Sequence, residues 1–329
     1  MKRIAALLFV LSLVLSACAA AGGSPPPSSS PDDGESDPPS SASDDGDGGG
    51  GGGEIDHPTG ADEAILVVSS QGGFVPVEFS VRQLPSFVLL GDGRVIVQGA
   101  MTLEFPGPAL PALQERTLTE EGIQALLAAI EDTDLFTGDL ELRGMQQMVA
   151  DASDTVFELH AGGIDSTVII YALGMLGPDM QVPNLDPAEE AAHVALSRLS
   201  ESLLLVDTFL PAELWEAEGW QPYEPTAFRL YVTDVSGQPI EGGDLPGMVR
   251  EWPTDDDPAA IGEEAGEFLG PGTRCAAVDG ELGAAWYAEL SLANENTLWT
   301  SDGTNRYRVL ARPLLPHEDV TCPELAPGA

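Results

Sequence analysis

The chain has 329 residues, with 13 lysines and arginines against 54 aspartates and glutamates, for a net charge of −41. A field of that sign repels phosphate backbones and excludes a nucleic-acid-binding role. The hydrophobic share of 43% is too high for a wholly disordered chain, and the length fits one or two compact domains.

Residues 1–17 read as a leader. Lys2 and Arg3 supply a positive start, and Ile4 to Ser16 is an apolar run of 13 residues. A helix needs ~20 such residues to cross a hydrocarbon core, so the run is an export signal and not a membrane span. It ends in Leu15-Ser16-Ala17-Cys18. Charge, apolar run, small residues and cysteine in that order resemble the lipobox of bacterial lipoproteins. The resemblance implies cleavage just ahead of Cys18 and a diacylglycerol thioether on its sulfur. Two or three acyl chains, at ~0.8 kcal/mol per buried methylene, hold a protein stably where one chain does not. The expected placement is therefore extracytoplasmic, with the membrane as a partner through lipid on Cys18.

Residues 18–60 form the expected tether, which carries Pro25-Pro26-Pro27, Ser28-Ser29-Ser30 and the glycine run 48–53. It has almost no large apolar side chains, so burial cannot offset its chain entropy, and disorder is expected. As a coil it spans about 35–40 Å. The acids at 44–47 lack the spacing and closing glutamate of a calcium loop.

From Ala61 onward the alternation changes. Ile65-Leu66-Val67-Val68 predicts a buried strand, and Val75, Val77, Phe79 and Val81 predict a second, half-buried one. The segments 86–90 and 94–98 flank Gly91-Asp92-Gly93, a hairpin signature. Thr119 caps a predicted helix with Glu120 and Glu121 in its first turn and Ile123, Leu126, Leu127 and Ile130 on one face. Strands are predicted around 156–160 and 167–172, joined through Gly162-Gly163. A further helix starts at Asp186-Pro187, with Ala192, Leu196, Leu199 and Leu203 as its buried stripe. Residues 207–225 read as a connector rich in aromatics and prolines. Beyond it lie predicted strands at 228–232 and 275–278, a helix at 284–293, and a hairpin of 297–300 with 307–311 across Ser301-Asp302-Gly303. The expected fold class is α+β: two small lobes of mostly antiparallel sheet with packed helices, 61–206 and 226–329, behind the tether.

Three cysteines are present. With Cys18 lipidated, Cys275 and Cys322 remain as an even pair in an oxidising compartment, which predicts a disulfide.

No motif specifies a named chemistry. The histidines at 57, 160, 193 and 317 show no metal-ligand spacing. His160, Asp165 and Ser166 are the nearest set to a triad, but they sit on one predicted hairpin, which rarely aligns a relay. Asp255-Asp256-Asp257 and Glu263-Glu264 offer carboxylates for Ca²⁺ or acid/base work and read more simply as solvated charge. Gly72-Gly73 and Gly242-Gly243 lack the setting of a phosphate loop. Trp215, Trp220 and Tyr223 suggest either a sugar-stacking platform or a packed seam between the lobes. No catalytic, cofactor or metal site is expected.

Several segments carry a broader resemblance: Gly72-Gly73-Phe74-Val75-Pro76, Leu84-Pro85-Ser86-Phe87, Gly91-Asp92-Gly93-Arg94-Val95 and Arg312-Pro313-Leu314-Leu315-Pro316. With arginine outnumbering lysine 12 to 1, they resemble uncharacterised secreted lipoproteins of high-GC Gram-positive bacteria. That resemblance implies no activity. The expectation is a lipid-anchored, non-enzymatic binding or scaffolding module, whose partner is an envelope protein or a glycan. The alternatives are an extracytoplasmic hydrolase with an unrecognised site and a Ca²⁺-dependent adhesion protein.

Overall fold

The computed structural model describes residues 54–101, 103–176, 182–216, 218–238, 249–323 and 325, all within one compact unit. Cys18, the leader, the tether as far as residue 53 and Gly242-Gly243 lie outside the described residues.

The chain opens with β1 (Ala64–Gly72) and ends it at Gly72 and Gly73, whose φ values of 66° and 84° turn the backbone in a way side chains resist. Val77 to Ser80, part of the expected second strand, is instead a single helical turn, α1 (Val77–Ser80). Pro76, at φ −56°, has no N–H for a ladder and is preset for the start of a helix. The hairpin β2 (Phe87–Leu90) and β3 (Arg94–Gln98) follows as expected, turning at Gly93 with φ 84°. Then come β4 (Leu113–Thr117) and α2 (Glu120–Glu131), whose cap Thr119 accepts a hydrogen bond from the Gly122 N–H at 3.2 Å.

After β5 (Leu140–Leu142), β6 (Ser153–Ala161) and β7 (Ile164–Tyr171) pair across Gly162-Gly163. Helix α3 (Pro187–Leu204) starts where Asp186 accepts from the Ala188 N–H at 2.8 Å, and a short α4 (Val206–Phe209) follows it. The remaining elements are β8 (Gln221–Pro222), β9 (Phe228–Asp234), β10 (Val249–Glu251), β11 (Glu263–Glu264), β12 (Arg274–Val278), α5 (Gly280–Leu290), β13 (Leu298–Thr300) and β14 (Tyr307–Pro313).

These elements make an α+β fold on two sheets. One has eight strands in the order β5-β7-β6-β1-β2-β3-β4-β8, and the other has six in the order β10-β13-β14-β9-β12-β11. Among the described strand pairs, β5–β7 and β10–β13 are parallel and the others antiparallel. The first sheet is apolar on both faces. Leu66, Val68, Phe87, Leu89, Phe157 and Val168 pack under α2 and α3. Val67, Val88, Leu90 and Ile96 point the other way, where Leu315 covers them. The alternation of side chains along each strand makes both faces from one run of residues.

In the second sheet, Phe228, Leu230 and Val232 face Trp286 and Leu290 of α5. Gly283 lets that helix lie directly on the chain, since a Cβ there would sit 1.9 Å from the Thr226 carbonyl oxygen. The opposite face carries Tyr231 and Cys275 and packs on Val81, just after α1.

Besides the packing of Val81 on the second sheet, two further segments tie the sheets together. The loop before β4 bonds to the α5–β13 loop through Ala109 N–H to Ala293 O and Glu295 N–H to Gly107 O. The residues after β14 return to the first sheet and bury Leu315 at 2% exposure. The segment expected to connect two lobes also does more. It supplies β8 to the first sheet and Leu210 and Trp215 to its core.

The last residues assigned by composition to the tether belong to the folded body. The Ile55 N–H donates to Gln124 Oε1 at 2.8 Å, Gln124 Nε2 donates to the Ile55 carbonyl at 3.0 Å, and the Gly162 N–H donates to the Asp56 carbonyl. His57 Nε2 lies 3.1 Å from Glu120 Oε1. Burial opposes charge on His57, but its hydrogen bonds to the Pro58 carbonyl and Glu120 outweigh burial and raise its pKa. Composition misses this docking because it depends on partners more than sixty residues away.

His193 on α3 is fully buried, and neither ring nitrogen has a hydrogen-bond partner among the described residues. Burial lowers its pKa, with Glu189 one turn earlier acting in the opposite direction. It is therefore neutral in the folded protein and easier to protonate once unfolded. Its contribution is complete above the unfolded-chain histidine pKa of ~6.5 and is lost as the pH falls through the depressed folded value. His57, with its raised value, contributes in the opposite sense: fully at low pH, and less as the pH rises through its folded pKa. Urea midpoints measured between about pH 7.5 and pH 5 are expected to fall less for His193→Leu than for the parent. Parallel declines in the two proteins would show that His193 does not couple protonation to stability.

Candidate functional site

A groove of about 430 Å³ lies where the back face of the first sheet meets the outer face of the second. One wall is β1 and β6, contributing Val67, Ser69 and Glu158. The facing wall is β9 and β14, contributing Arg229, Tyr231 and Arg312. Strand alternation explains the second wall: Phe228, Leu230 and Val232 enter the core beneath α5, so Arg229 and Tyr231 must point the other way. The segment after β14 closes one side with His317, Glu318, Pro323 and Leu325.

That closing segment is held in three ways. Glu318 grips Arg312 through both carboxylate oxygens, Oε1 to Nη2 at 2.7 Å and Oε2 to Nη1 at 3.0 Å, and Oε2 also accepts from the Leu315 N–H at 2.8 Å. Further on, Cys322 is bonded to Cys275 of β12, with Cα atoms 6.0 Å apart. Between these points, Arg229 Nε donates to the Thr321 carbonyl at 2.7 Å.

The groove's charges are set by their surroundings. Burial pushes Arg229 below the ordinary arginine value and the neighbouring positive charge of Arg312 lowers it further, while Tyr231 and Glu318 pull the other way. It stays protonated at neutral pH. Burial also lowers the pKa of His317; Glu318 opposes that shift, while Arg312 and His160 add to it. His317 is therefore neutral near pH 7, and its Nδ1 is buried without a hydrogen-bond partner among the described residues.

No protein-family model, curated protein or solved structure matches this chain.

The sequence-derived candidates fall elsewhere. His160 Nδ1 meets Asp165 Oδ1 at 2.8 Å across the β6–β7 pair, with both side chains exposed. Ser166 is one residue on, so it faces the opposite side of the sheet and donates to the Gly138 carbonyl at 2.7 Å. No relay forms. Asp255, Asp256 and Asp257 are exposed, and Glu263 and Glu264 lie on the edge strand β11. Among the described residues no three His, Cys, Asp or Glu side chains gather as a metal-binding set, and no helix is long and apolar enough to cross a membrane.

Trp215 and Trp220 meet edge to face at 5.8 Å, with Arg116 stacked on Trp215 and Asp207 accepting from Trp220 Nε1. They are packed into the first sheet's core, whereas Tyr223 lies against its other face. The three aromatics therefore do not form one platform.

Arg229 and His317 lie in no motif, and Arg312 opens a segment that implied no role for it. The local signal for the two arginines is their place on strands β9 and β14 in a chain otherwise crowded with acids.

Proposed function

We propose that this chain is a lipid-anchored, extracytoplasmic binding protein, held to the membrane through Cys18, with the groove between its two sheets as the ligand site. The observation that carries the reading is the groove itself. Its volume of about 430 Å³ falls within the ~300–1,000 Å³ common for small-molecule sites. Polar groups converge on an apolar lining, and a disulfide secures one wall. A disulfide also suits a compartment outside the cytoplasm.

Binding is favoured over hydrolysis by the arrangement of the polar groups. Glu318 is committed to Arg312 and the Leu315 N–H, and His317 Nδ1 contacts neither a serine nor a carboxylate. A serine nucleophile needs a hydrogen-bonded base, itself held by a third group.

The anchor is tested with Cys18→Ala. The mature parent is expected in the membrane fraction, with a diacylglycerol adduct on its N-terminal peptide. The variant is expected in the medium or as an unprocessed precursor. A correctly processed variant retained on the membrane contradicts the anchor. The ligand site is tested by native mass spectrometry of protein isolated from its own envelope. A retained small molecule is expected in the parent and absent from Ser69→Trp, whose indole fills the groove. Equal retention by both places binding elsewhere.

A further inference from the structure

We infer that the groove selects an organic anion, and that Arg229 receives its carboxylate or phosphate group. This rests on the groove being the ligand site. In a chain of net charge −41, arginines are scarce and acids abundant. Arg94, Arg143, Arg250 and Arg312 each sit on a carboxylate within 4 Å. Arg229 does not. Its Nε is used by the Thr321 carbonyl, Tyr231 hydrogen-bonds to it without carrying charge at neutral pH, and no described carboxylate lies at ion-pair distance from it.

Two nearby features leave that guanidinium only partly compensated, since Glu318 favours its charge without forming an ion pair with it. Glu318 faces the same groove but spends both oxygens on Arg312. Arg312 in turn adds a second positive charge, unfavourable to Arg229. A half-buried guanidinium beside another one is a poor resting arrangement unless an anion completes it, since charge-assisted bonds to an oxyanion are stronger in a partly dehydrated site than in water. Fixing Nε on a backbone carbonyl also orients the outer edge of the fork, the geometry that suits two oxygens of one ligand group.

The rest of the groove describes the rest of the ligand. Val67, Leu84, Pro85 and Leu325 supply apolar contact, so a bare inorganic ion does not fill the space. Ser69 and Glu158, on the wall opposite Arg229, call for hydroxyl or amino donors on the ligand's far end.

The test is isothermal titration of the mature full-length protein at low ionic strength. The probes are malate for a carboxylate, glycerol 3-phosphate for a phosphate monoester, and glycerol as the uncharged control. One or both anions are expected to bind, and glycerol is not. Which anion binds tells the two ligand groups apart. Arg229→Met should weaken binding by about tenfold or more, and Arg229→Lys, which keeps the charge but not the fork, by less. Arg198→Met, which removes one positive charge from the exposed face of α3, should leave affinity unchanged. Circular dichroism and melting confirm that the Arg229 variants fold.

Loss of binding in Arg198→Met to the same degree overturns the inference, because a general field effect then suffices. So does the absence of binding by both anions. If glycerol binds as well as the anions, and Ser69→Trp abolishes that binding while Arg229→Met does not, the groove is the ligand site and its anion selectivity is overturned.

Discussion

Replacing both Cys275 and Cys322 with alanine is expected to lower the melting temperature by on the order of 10 °C and to open the groove. The bond closes a loop across a sequence separation of 47 residues, and loop-closure entropy assigns such a link about 4 kcal/mol. For a body of this size, 1 kcal/mol corresponds to roughly 2–4 °C. The structural consequence is local. The segment after β14 stays attached through the buried Leu315 and the Arg312–Glu318 pair. Beyond Glu318, its remaining links to the groove among the described residues are the Thr321 carbonyl accepting from Arg229 and the apolar packing of Leu325.

The double variant is therefore expected to become sensitive to proteolysis after residue 318 under native conditions, with the rest of the body intact. Dithiothreitol should do the same to the parent. A melting point within ~2 °C of the parent, together with an uncut tail, would show that the disulfide neither stabilises the body nor holds the wall.

Trp286→Ala is expected to cost about 3–5 kcal/mol, enough to shift the melting point by roughly 10 °C. Trp286 is fully buried at the centre of the second sheet's core. Its ring meets Trp252 edge to face at 4.8 Å and Trp299 at 5.3 Å, and Trp252 in turn meets Tyr307 at 6.1 Å. Deleting the central ring leaves a cavity flanked by Trp252 and Trp299, which cannot collapse into it without giving up their other contacts.

Its indole N–H has no hydrogen-bond partner among the described residues. Trp286→Phe therefore removes an unsatisfied donor along with some volume and should cost much less than alanine. Near-ultraviolet circular dichroism should lose its tryptophan bands in the alanine variant as the rings lose their fixed geometry. Equal melting points for the alanine and phenylalanine variants would show that ring packing is not what stabilises this core.

Much of the local structure was legible because its causes are local. Thr119 and Asp186 cap helices with their own side chains, Gly93 and Gly163 permit the turns at their positions, and the alternation in 228–232 reads directly as a strand with one buried face. The pairing of Cys275 with Cys322 followed from counting. The strand β4 was not legible: Gln114, Glu115 and Arg116 carry no apolar alternation, and they are extended because β3 offers them a ladder. Val77 to Ser80 has strand-like residues but sits behind Pro76 and two glycines, so it coils into a turn of helix.

The amino-acid sequence alone determined the alternation, the caps and the turns, since each depends on neighbours a few residues apart, and the count of cysteines gave the pair. Only the tertiary structure decided that Ser69, Glu158, Arg229, Arg312 and His317 share one groove, and that residues 54–60 dock on α2. The reason is physical. Which sheet face meets which, and where the tail crosses, follows from burying apolar surfaces contributed by segments more than a hundred residues apart, and no spacing within a single segment records that choice.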